Sequence, residues 1–260
     1  MSAPENVLGG SSLGATRRRD AWWVEPLLIG LYLALFGVYS TWAALQGEHY
    51  QWGPYLSPFY SPLIILDADR LPSVLRFLAG LSPAILILWA PLGFRATCYY
   101  YRKAYYRSYF LDPPACGVGE ARGHGYRGET AFPFVLQNLH RYFLIPALLL
   151  LVFLWHDAVQ AFRFEGGFGI GVGTLVLLAN TILLTLYTLS CHSWRHWVGG
   201  SVDCFSCAAF GSLRLGAWQR VSGLNRLHML WAWLSLTSVG FADLYVRLVS
   251  MGVWSDLRIL

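Results

Sequence analysis

Long apolar runs separated by short polar connections dominate this sequence. A helix needs about 20 mainly apolar residues to cross the hydrocarbon core of a bilayer, and five runs of the chain reach roughly that length. The pattern therefore predicts an all-α, polytopic membrane protein built as a bundle of five transmembrane helices. The predicted spans cover residues 22–45, 75–98, 142–162, 170–191 and 227–251.

The polar segments around these runs predict the domain organisation. Residues 1–21 are polar and rich in Gly and Ser, which is typical of a flexible tail. We expect residues 22–260 to form a single membrane domain. The composition agrees, since 56% of the residues are hydrophobic and only 13% are charged, against about 25% charged in a soluble domain.

Arginine side chains cluster in alternate connections, and this predicts the orientation. One side of the membrane receives Arg17, Arg18, Arg19, Arg102, Lys103, Arg107, Arg122, Arg127, Arg195, Arg214, Arg220 and Arg226. The other side receives only Arg70, Arg76, Arg163 and Arg258. By the positive-inside rule the N-terminus is cytoplasmic and the C-terminus lies outside. The net charge of +5 thus reflects topology, and we expect membrane lipid, with no nucleic acid, as a partner.

Cysteine and histidine residues gather at the predicted cytoplasmic ends of four spans. They are Cys98, His140, Cys191 and His228, with Cys116, His192 and His196 as reserves on the same side. Two imidazoles on facing helices can hold one haem b, while two thiolates and two imidazoles can hold a Rieske-type [2Fe–2S] cluster. A structural zinc ion could use the same set. The layer predicts a redox metal centre at this rim.

The remaining cysteines carry a weaker signal. Cys204 and Cys207 form half of a zinc or cluster signature without a second half, and we interpret them as incidental thiols. None of the cysteines falls in a connection predicted outside the cell, so we expect no disulfide bonds.

A second polar group lies near the opposite rim. Ionisable residues inside a span are costly and therefore indicate function, and the candidates for a quinone pocket or proton path are His156, Asp157, Asp243 and Arg247. Asp243 and Arg247 are four residues apart and can also simply pair with each other.

Glycines and one amide complete the list of unusual residues in the spans. The run GGFGIGVG at 166–173 predicts a tight turn followed by close helix packing. Asn180, in the middle of the fourth span, predicts a hydrogen bond between helices.

Several longer motifs resemble one known family. They are FRATCYYYRKAYYRSYFLDPPAC at 94–116, GETAFPFVLQNLHRYF at 128–143, YTLSCHSWRH at 187–196, NRLHMLWAW at 225–233 and QGEHYQWGPYLSPFYSP at 46–62. Together with the final SDLRIL they are similar to the membrane-anchor subunit of bacterial succinate dehydrogenase, or complex II. The resemblance is narrower to the single-anchor, five-helix form of actinobacteria and their relatives.

This resemblance implies a respiratory-chain subunit of the bacterial plasma membrane with no catalytic residues of its own. A flavoprotein partner would oxidise succinate in the tricarboxylic acid cycle. An iron–sulfur partner would pass the electrons to this anchor, where a quinone is reduced. Arg95 and Tyr99 would shape a proximal surface near that partner and are further quinone candidates.

The resemblance also orders the cofactors. Anchors with two haems take imidazoles from four spans, whereas the first two spans here lack histidine. A branch of single-anchor enzymes carries a membrane-embedded Rieske-type cluster, and Cys98, His140, Cys191 and His228 suit that cluster, with one haem b as the alternative.

Two other functions stay open at this point. One is a cytochrome b-type subunit of another quinone oxidoreductase. The other is a non-redox scaffold or small transporter, which an internal repeat and a polar midplane would indicate.

Overall fold

Helices make up most of the described chain in the computed structural model, which describes residues 12–120, 128 and 130–260. The α-helices are α1 Val24–Gln46, α2 Pro83–Ala96, α3 Tyr99–Tyr105, α4 His140–Gln160, α5 Val172–Leu189, α6 His192–Arg195, α7 Gly211–Asn225 and α8 His228–Ser250. Two antiparallel hairpins pair β1 Gln51–Trp52 with β2 Tyr55–Leu56, and β3 Arg163–Phe164 with β4 Gly167–Phe168. The 3₁₀ turns are Pro58–Tyr60, Ala68–Arg70, Ser73–Gly80, Phe134–Leu139 and Phe205–Cys207, and the π-helical turns are Tyr106–Phe110 and His196–Gly200.

Four of the predicted spans correspond to single long helices. The ends of α1, α4, α5 and α8 lie within two residues of the predicted ends. Within the described residues, these four helices are long and apolar enough to cross a membrane. The prediction of an all-α polytopic membrane protein is therefore confirmed.

The second predicted span is broken. The 3₁₀ turn Ser73–Gly80 and helix α2 meet at an angle of 87°. Pro83 begins α2, and the chain is extended at Leu81, two residues before that proline. With 14 residues α2 is about 21 Å long, which is short of the ~30 Å hydrocarbon core. The described chain has up to five spans if the bent pair forms one of them.

The chain forms two compact units. The first comprises Met1–Tyr39 and Arg95–Leu139, and the second comprises Ser40–Phe94 and His140–Leu260. A single domain over residues 22–260 stays a prediction. Residues 1–11 of the predicted tail lie outside the described residues.

The end of the predicted tail pairs with a later loop of the first unit. Thr16 forms an isolated antiparallel bridge with Val118. Close by, the Gly14 amide donates to the Gly119 carbonyl at 3.0 Å. These contacts order residues 14–16 of the predicted flexible tail against the 117–119 segment.

In the second unit, α5 packs against both α4 and α8. The core between them contains Tyr55, Ala161, Leu177, Ala242 and Val246. Small residues such as the two alanines let helix backbones approach closely, as membrane helices require.

Two glycines at the start of α5 are needed for close packing. A Cβ on Gly173 would lie 2.3 Å from the Tyr55 ring, and one on Gly171 would lie 2.3 Å from the Tyr55 hydroxyl and from Asp256 Oδ2. The glycine run therefore serves a turn and tight packing, as the sequence predicts.

The C-terminal segment folds back onto the same end of α5. Asp256 Oδ1 accepts from the Gly173 amide at 2.8 Å, and Asp256 Oδ2 accepts from the Tyr55 hydroxyl at 2.7 Å. The carboxylate therefore supplies a cap to α5 that its own N-cap, Gly171, lacks. Burial, with the neighbouring carboxylate adding to it, raises the pKa of Tyr55 to about 12.

The expectation of no disulfide bonds was wrong for one pair. Cys204 and Cys207 are disulfide-bonded, while Cys98, Cys116 and Cys191 are free thiols. Cys204 is the N-cap of a 3₁₀ turn and Cys207 is its last residue, and side chains at positions i and i+3 of such a turn lie on the same side. The prediction considered only the redox compartment and overlooked this local geometry.

Candidate functional site

The two predicted histidine ligands each begin a long helix of the second unit. His140 begins α4, and its Nδ1 lies 3.0 Å from the carbonyl oxygen of Phe94. Since a carbonyl oxygen only accepts, Nδ1 must donate, and in the neutral ring the lone pair is then on Nε2.

His228 has the same arrangement at the start of α8. Its Nδ1 lies 2.7 Å from Ser190 Oγ. Ser190 Oγ also lies 3.1 Å from the Tyr187 carbonyl oxygen. Both imidazoles therefore have Nδ1 bound to a protein oxygen, which is how metal-ligating histidines are usually held.

A continuous series of ring contacts connects the two imidazoles. His140 stacks on Phe94 with centroids 4.3 Å apart, and His228 stacks on Tyr187 at 5.2 Å. Phe94 and Tyr187 meet edge to face at 5.5 Å. Phe94, Tyr187 and His228 are buried, so this array is enclosed in protein.

Cys191 lies directly beside this array. It follows Ser190, whose carbonyl accepts from Asn225 Nδ2 at 2.7 Å. Cys191 is fully buried, and its Sγ accepts from the Trp194 amide at 3.2 Å. The turn that holds His228 thus also positions the thiol.

Cys98 is the one predicted ligand that belongs to the first unit. It is buried and is the N-cap residue of α3. Nearby, the Arg95 guanidinium donates to the Tyr101 hydroxyl and lies 5.5 Å from that ring. Burial raises the pKa of Tyr101.

The other first-unit candidates are more exposed. The Tyr99 ring lies 5.0 Å from the Arg102 guanidinium and is 55% exposed. Cys116 is an exposed thiol whose carbonyl accepts from Arg18 at 2.9 Å. In the second unit, the reserves His192 and His196 are also exposed.

The ligand set stays a prediction. Within residues 12–120, 128 and 130–260, no group of three or more His, Cys, Asp or Glu side chains is arranged so that it could hold a metal ion. A Rieske-type cluster takes two thiolates and two imidazoles, which are the donor types of the predicted set.

At the predicted outer rim, Asp243 and Arg247 do pair. Arg247 Nε lies 3.5 Å from Asp243 Oδ2, and both side chains are buried. Ser57 Oγ donates to the same carboxylate. The Arg247 guanidinium also donates to the Glu48 carbonyl at 3.0 Å and lies 5.1 Å from the Trp42 ring.

Asp157 makes a similar contact to the same loop. Ser61 Oγ donates to its Oδ2, and His156 Nδ1 lies 3.1 Å from its Oδ1. His156 itself is exposed and contacts Gln160 at 3.1 Å. The serines at both ends of the Pro58–Tyr60 turn therefore hold that turn against carboxylates of α4 and α8.

Sequence reasoning missed the residues that position these groups. Ser57 precedes Pro58, and a serine before a proline is a recognisable start of a short helix. Ser61, at the end of that turn, and Ser190 carry no comparable signal. Asn180 does accept from Ser238 Oγ at 3.0 Å, which confirms the predicted hydrogen bond between α5 and α8.

Comparison with known proteins identifies the family. Residues 24–252 match the family described as actinobacterial succinate dehydrogenase subunit SdhC. A chain of the solved structure titled Mycobacterium smegmatis Sdh1 complex in the apo form is 43% identical, with a TM-score of 0.81 and 94% of each chain covered. The search of curated proteins found no match. The chain therefore belongs to the actinobacterial succinate dehydrogenase membrane-anchor family, and it is a multi-pass membrane protein.

Proposed function

We propose that this chain anchors a succinate dehydrogenase in the plasma membrane and relays electrons to a quinone. The electrons come from a docked iron–sulfur subunit, and succinate itself is oxidised on a flavoprotein partner. The 43% identical chain belongs to an Sdh1 complex, which supports these partners. Family membership favours this function over an unrelated cytochrome b subunit or a transporter.

The observation that carries the proposal is the shared environment of His140 and His228. Both imidazoles have Nδ1 bound to a protein oxygen, and both stack on rings that touch each other. Two such histidines beside a buried thiol support a redox centre with imidazole ligands.

We propose a Rieske-type [2Fe–2S] cluster held by Cys98, His140, Cys191 and His228, with one haem b on the two histidines as the alternative. When bound, the cluster supplies a one-electron carrier. The protein's part is to exclude water through buried rings and to hold each imidazole through its Nδ1 hydrogen bond.

The proposed orientation has the N-terminus in the cytoplasm, which puts this centre on the side of the iron–sulfur partner. Arg95 and Tyr99 are then proximal quinone candidates. His156, Asp157, Asp243 and Arg247 are distal quinone or proton-path candidates, although Asp157, Asp243 and Arg247 also hold the loop between α1 and α2.

Spectroscopy of the purified, dithionite-reduced complex tests the centre. We expect a low-g [2Fe–2S] EPR signal in addition to the signals of the iron–sulfur partner. Cys191→Ser and Cys98→Ser should each remove it. Cys204→Ser is the matched control and should leave it in place, since Cys204 is exposed and lies outside the ring array.

Sharp bis-imidazole α-bands without the low-g signal would favour the haem alternative. Retention of the low-g signal in both Cys191→Ser and Cys98→Ser would reject the ligand assignment. Assembly of each variant is checked by co-purification of the flavoprotein.

A further inference from the structure

We propose that Cys204 and Cys207 form a reversible thiol–disulfide exchange site that reacts with soluble thiols. The motif Cys-Phe-Ser-Cys lies in the connection between α6 and α7, apart from the array of His140 and His228. Its disulfide has no role in the proposed electron relay.

Both cysteines lie at the protein surface. Cys204 and Cys207 are exposed residues on a 3₁₀ turn. Attack by a soluble thiolate on a disulfide requires access to sulfur, and this turn provides it. The buried thiols Cys98 and Cys191 do not.

Packing of Phe205, rather than the disulfide, anchors this 3₁₀ turn to the surrounding structure. Phe205 packs against two glycines. A Cβ added to Gly199 would lie 3.2 Å from the Phe205 ring, and one added to Gly211 would lie 1.7 Å from the Phe205 carbonyl oxygen. Its ring is 6.4 Å from that of Trp218. The Arg195 guanidinium in turn lies over the Trp218 ring, 4.6 Å from its centroid. Reduction therefore leaves the turn held in place.

The disulfide also adds little constraint to the fold. The entropy that a disulfide removes from the unfolded chain grows with the length of the closed loop, and here the sequence separation is only 3. Exposed disulfides that contribute little are typically the labile ones. In the proposed orientation the motif faces the cytoplasm, where disulfides are usually transient or redox-sensing.

The exchange proceeds through a mixed disulfide. A thiolate of the soluble reagent bonds to Cys207 Sγ, and the sulfur–sulfur bond breaks with its electron pair leaving on Cys204. The Ser206 hydroxyl lies 3.3 Å from Cys204 Sγ and can donate to the leaving thiolate. A second soluble thiol then displaces Cys207. The protein gains two electrons and two protons, and two molecules of reductant become one soluble disulfide.

Redox titration of the intact complex in glutathione buffers tests the proposal. Samples are quenched in acid, free thiols are alkylated, and the remaining cysteines are reduced and labelled with a heavy reagent. Trypsin releases residues 196–214 as one peptide with both cysteines. We expect its oxidised fraction to fall at least about tenfold between oxidised and reduced glutathione. Cys116, a single exposed thiol, reports the labelling yield in the same samples.

Two results would overturn the proposal. One is a disulfide that survives excess reduced glutathione in the native complex yet is reduced in denaturant. The other is free thiols at both positions in oxidised glutathione. The Cys204→Ser variant should accumulate glutathione on Cys207 as a mass increase, and absence of that adduct would also count against exchange. None of these outcomes depends on the metal centre or on quinone activity.

Discussion

Ser190 Oγ lies 2.7 Å from His228 Nδ1 and 3.1 Å from the Tyr187 carbonyl oxygen. The serine thereby ties the end of α5 to the start of α8. Because Cys191 is the next residue, one short turn controls both a predicted thiolate and a predicted imidazole ligand.

The first prediction concerns this turn. Ser190→Ala removes the hydrogen-bond partner of His228 Nδ1, and loss of such a partner typically costs about 10–100-fold in metal affinity or activity. Quinone reductase activity of the complex should fall by that order, while succinate oxidation with a soluble dye is retained. Ser193→Ala, one turn along the chain, is the control. Equal activities of the two variants would show that the serine does not tune the site.

A second prediction follows from the buried ion pair at the other rim. Arg247→Met leaves the Asp243 carboxylate buried without its counter-charge, and breaking a buried pair costs about 3–5 kcal/mol. The double variant Asp243→Leu with Arg247→Met should recover most of the thermal stability, because two apolar side chains leave no buried charge. Thermal inactivation of the complex measures both.

The quinone activity of that double variant separates structure from function. Recovery of stability together with activity would assign the pair a structural role. Recovery of stability without activity would support the distal quinone or proton-path candidates. A double variant as unstable as Arg247→Met alone would contradict the ion-pair argument.

The start of α5 gives a third prediction. Gly173→Ala places a methyl group 2.3 Å from the Tyr55 ring, and overpacking of this kind costs about 1–3 kcal/mol. Gly216→Ala in α7 meets nothing within 4 Å and should be neutral or slightly stabilising. Differential scanning fluorimetry of the two variants checks the contrast. A melting temperature that is the same for both would mean that α5 and the Tyr55 loop separate easily.

The carboxylate that caps α5 gives a fourth prediction. Asp256→Ala removes the acceptor of the Gly173 amide and of the Tyr55 hydroxyl, and the loss of a helix cap costs about 1 kcal/mol. Limited proteolysis should then cut the C-terminal segment faster. Asp203→Ala, an exposed carboxylate in the loop before Cys204, is the control and should not change the cleavage rate.

The fifth prediction is a pH dependence in the alkaline range. The pKa of Tyr55 is raised from 10 in the unfolded chain to about 12. The folded state therefore retains the phenolic proton, and the resulting stability is complete below pH 10 and is lost as the pH rises to about 12. Tyr55→Phe should show a shallower loss of thermal stability between those values. An unchanged pH profile would show that Tyr55 ionises normally in the fold.

The long helices could be predicted from the sequence because hydrophobic length is a local property. Four spans were placed within two residues of their ends. The second span was placed as one helix because its residues are apolar throughout. Apolar composition does not show that Pro83 starts a new helix at 87° to the preceding turn.

The contacts of the candidate sites depend on tertiary structure and could not be predicted in the same way. Ser57 donates to Asp243 across 186 residues, and Tyr55 donates to Asp256 across 201. No spacing rule relates residues so far apart. Helical spacing did predict the pairing of Asp243 with Arg247, since residues four apart share a helix face. Local 3₁₀ geometry could have predicted the Cys204–Cys207 disulfide, whereas the reducing conditions of the cytoplasmic side predict free thiols.

Electron transfer in a His228→Gln complex tests the central claim most directly. The rates of succinate oxidation with a soluble dye and with a quinone are measured on complex that retains its flavoprotein and iron–sulfur subunits. If the chain relays electrons through a centre that includes His228, the dye rate is unchanged and the quinone rate falls by roughly 100-fold or more. An assembled variant that reduces quinone at the wild-type rate would contradict the relay.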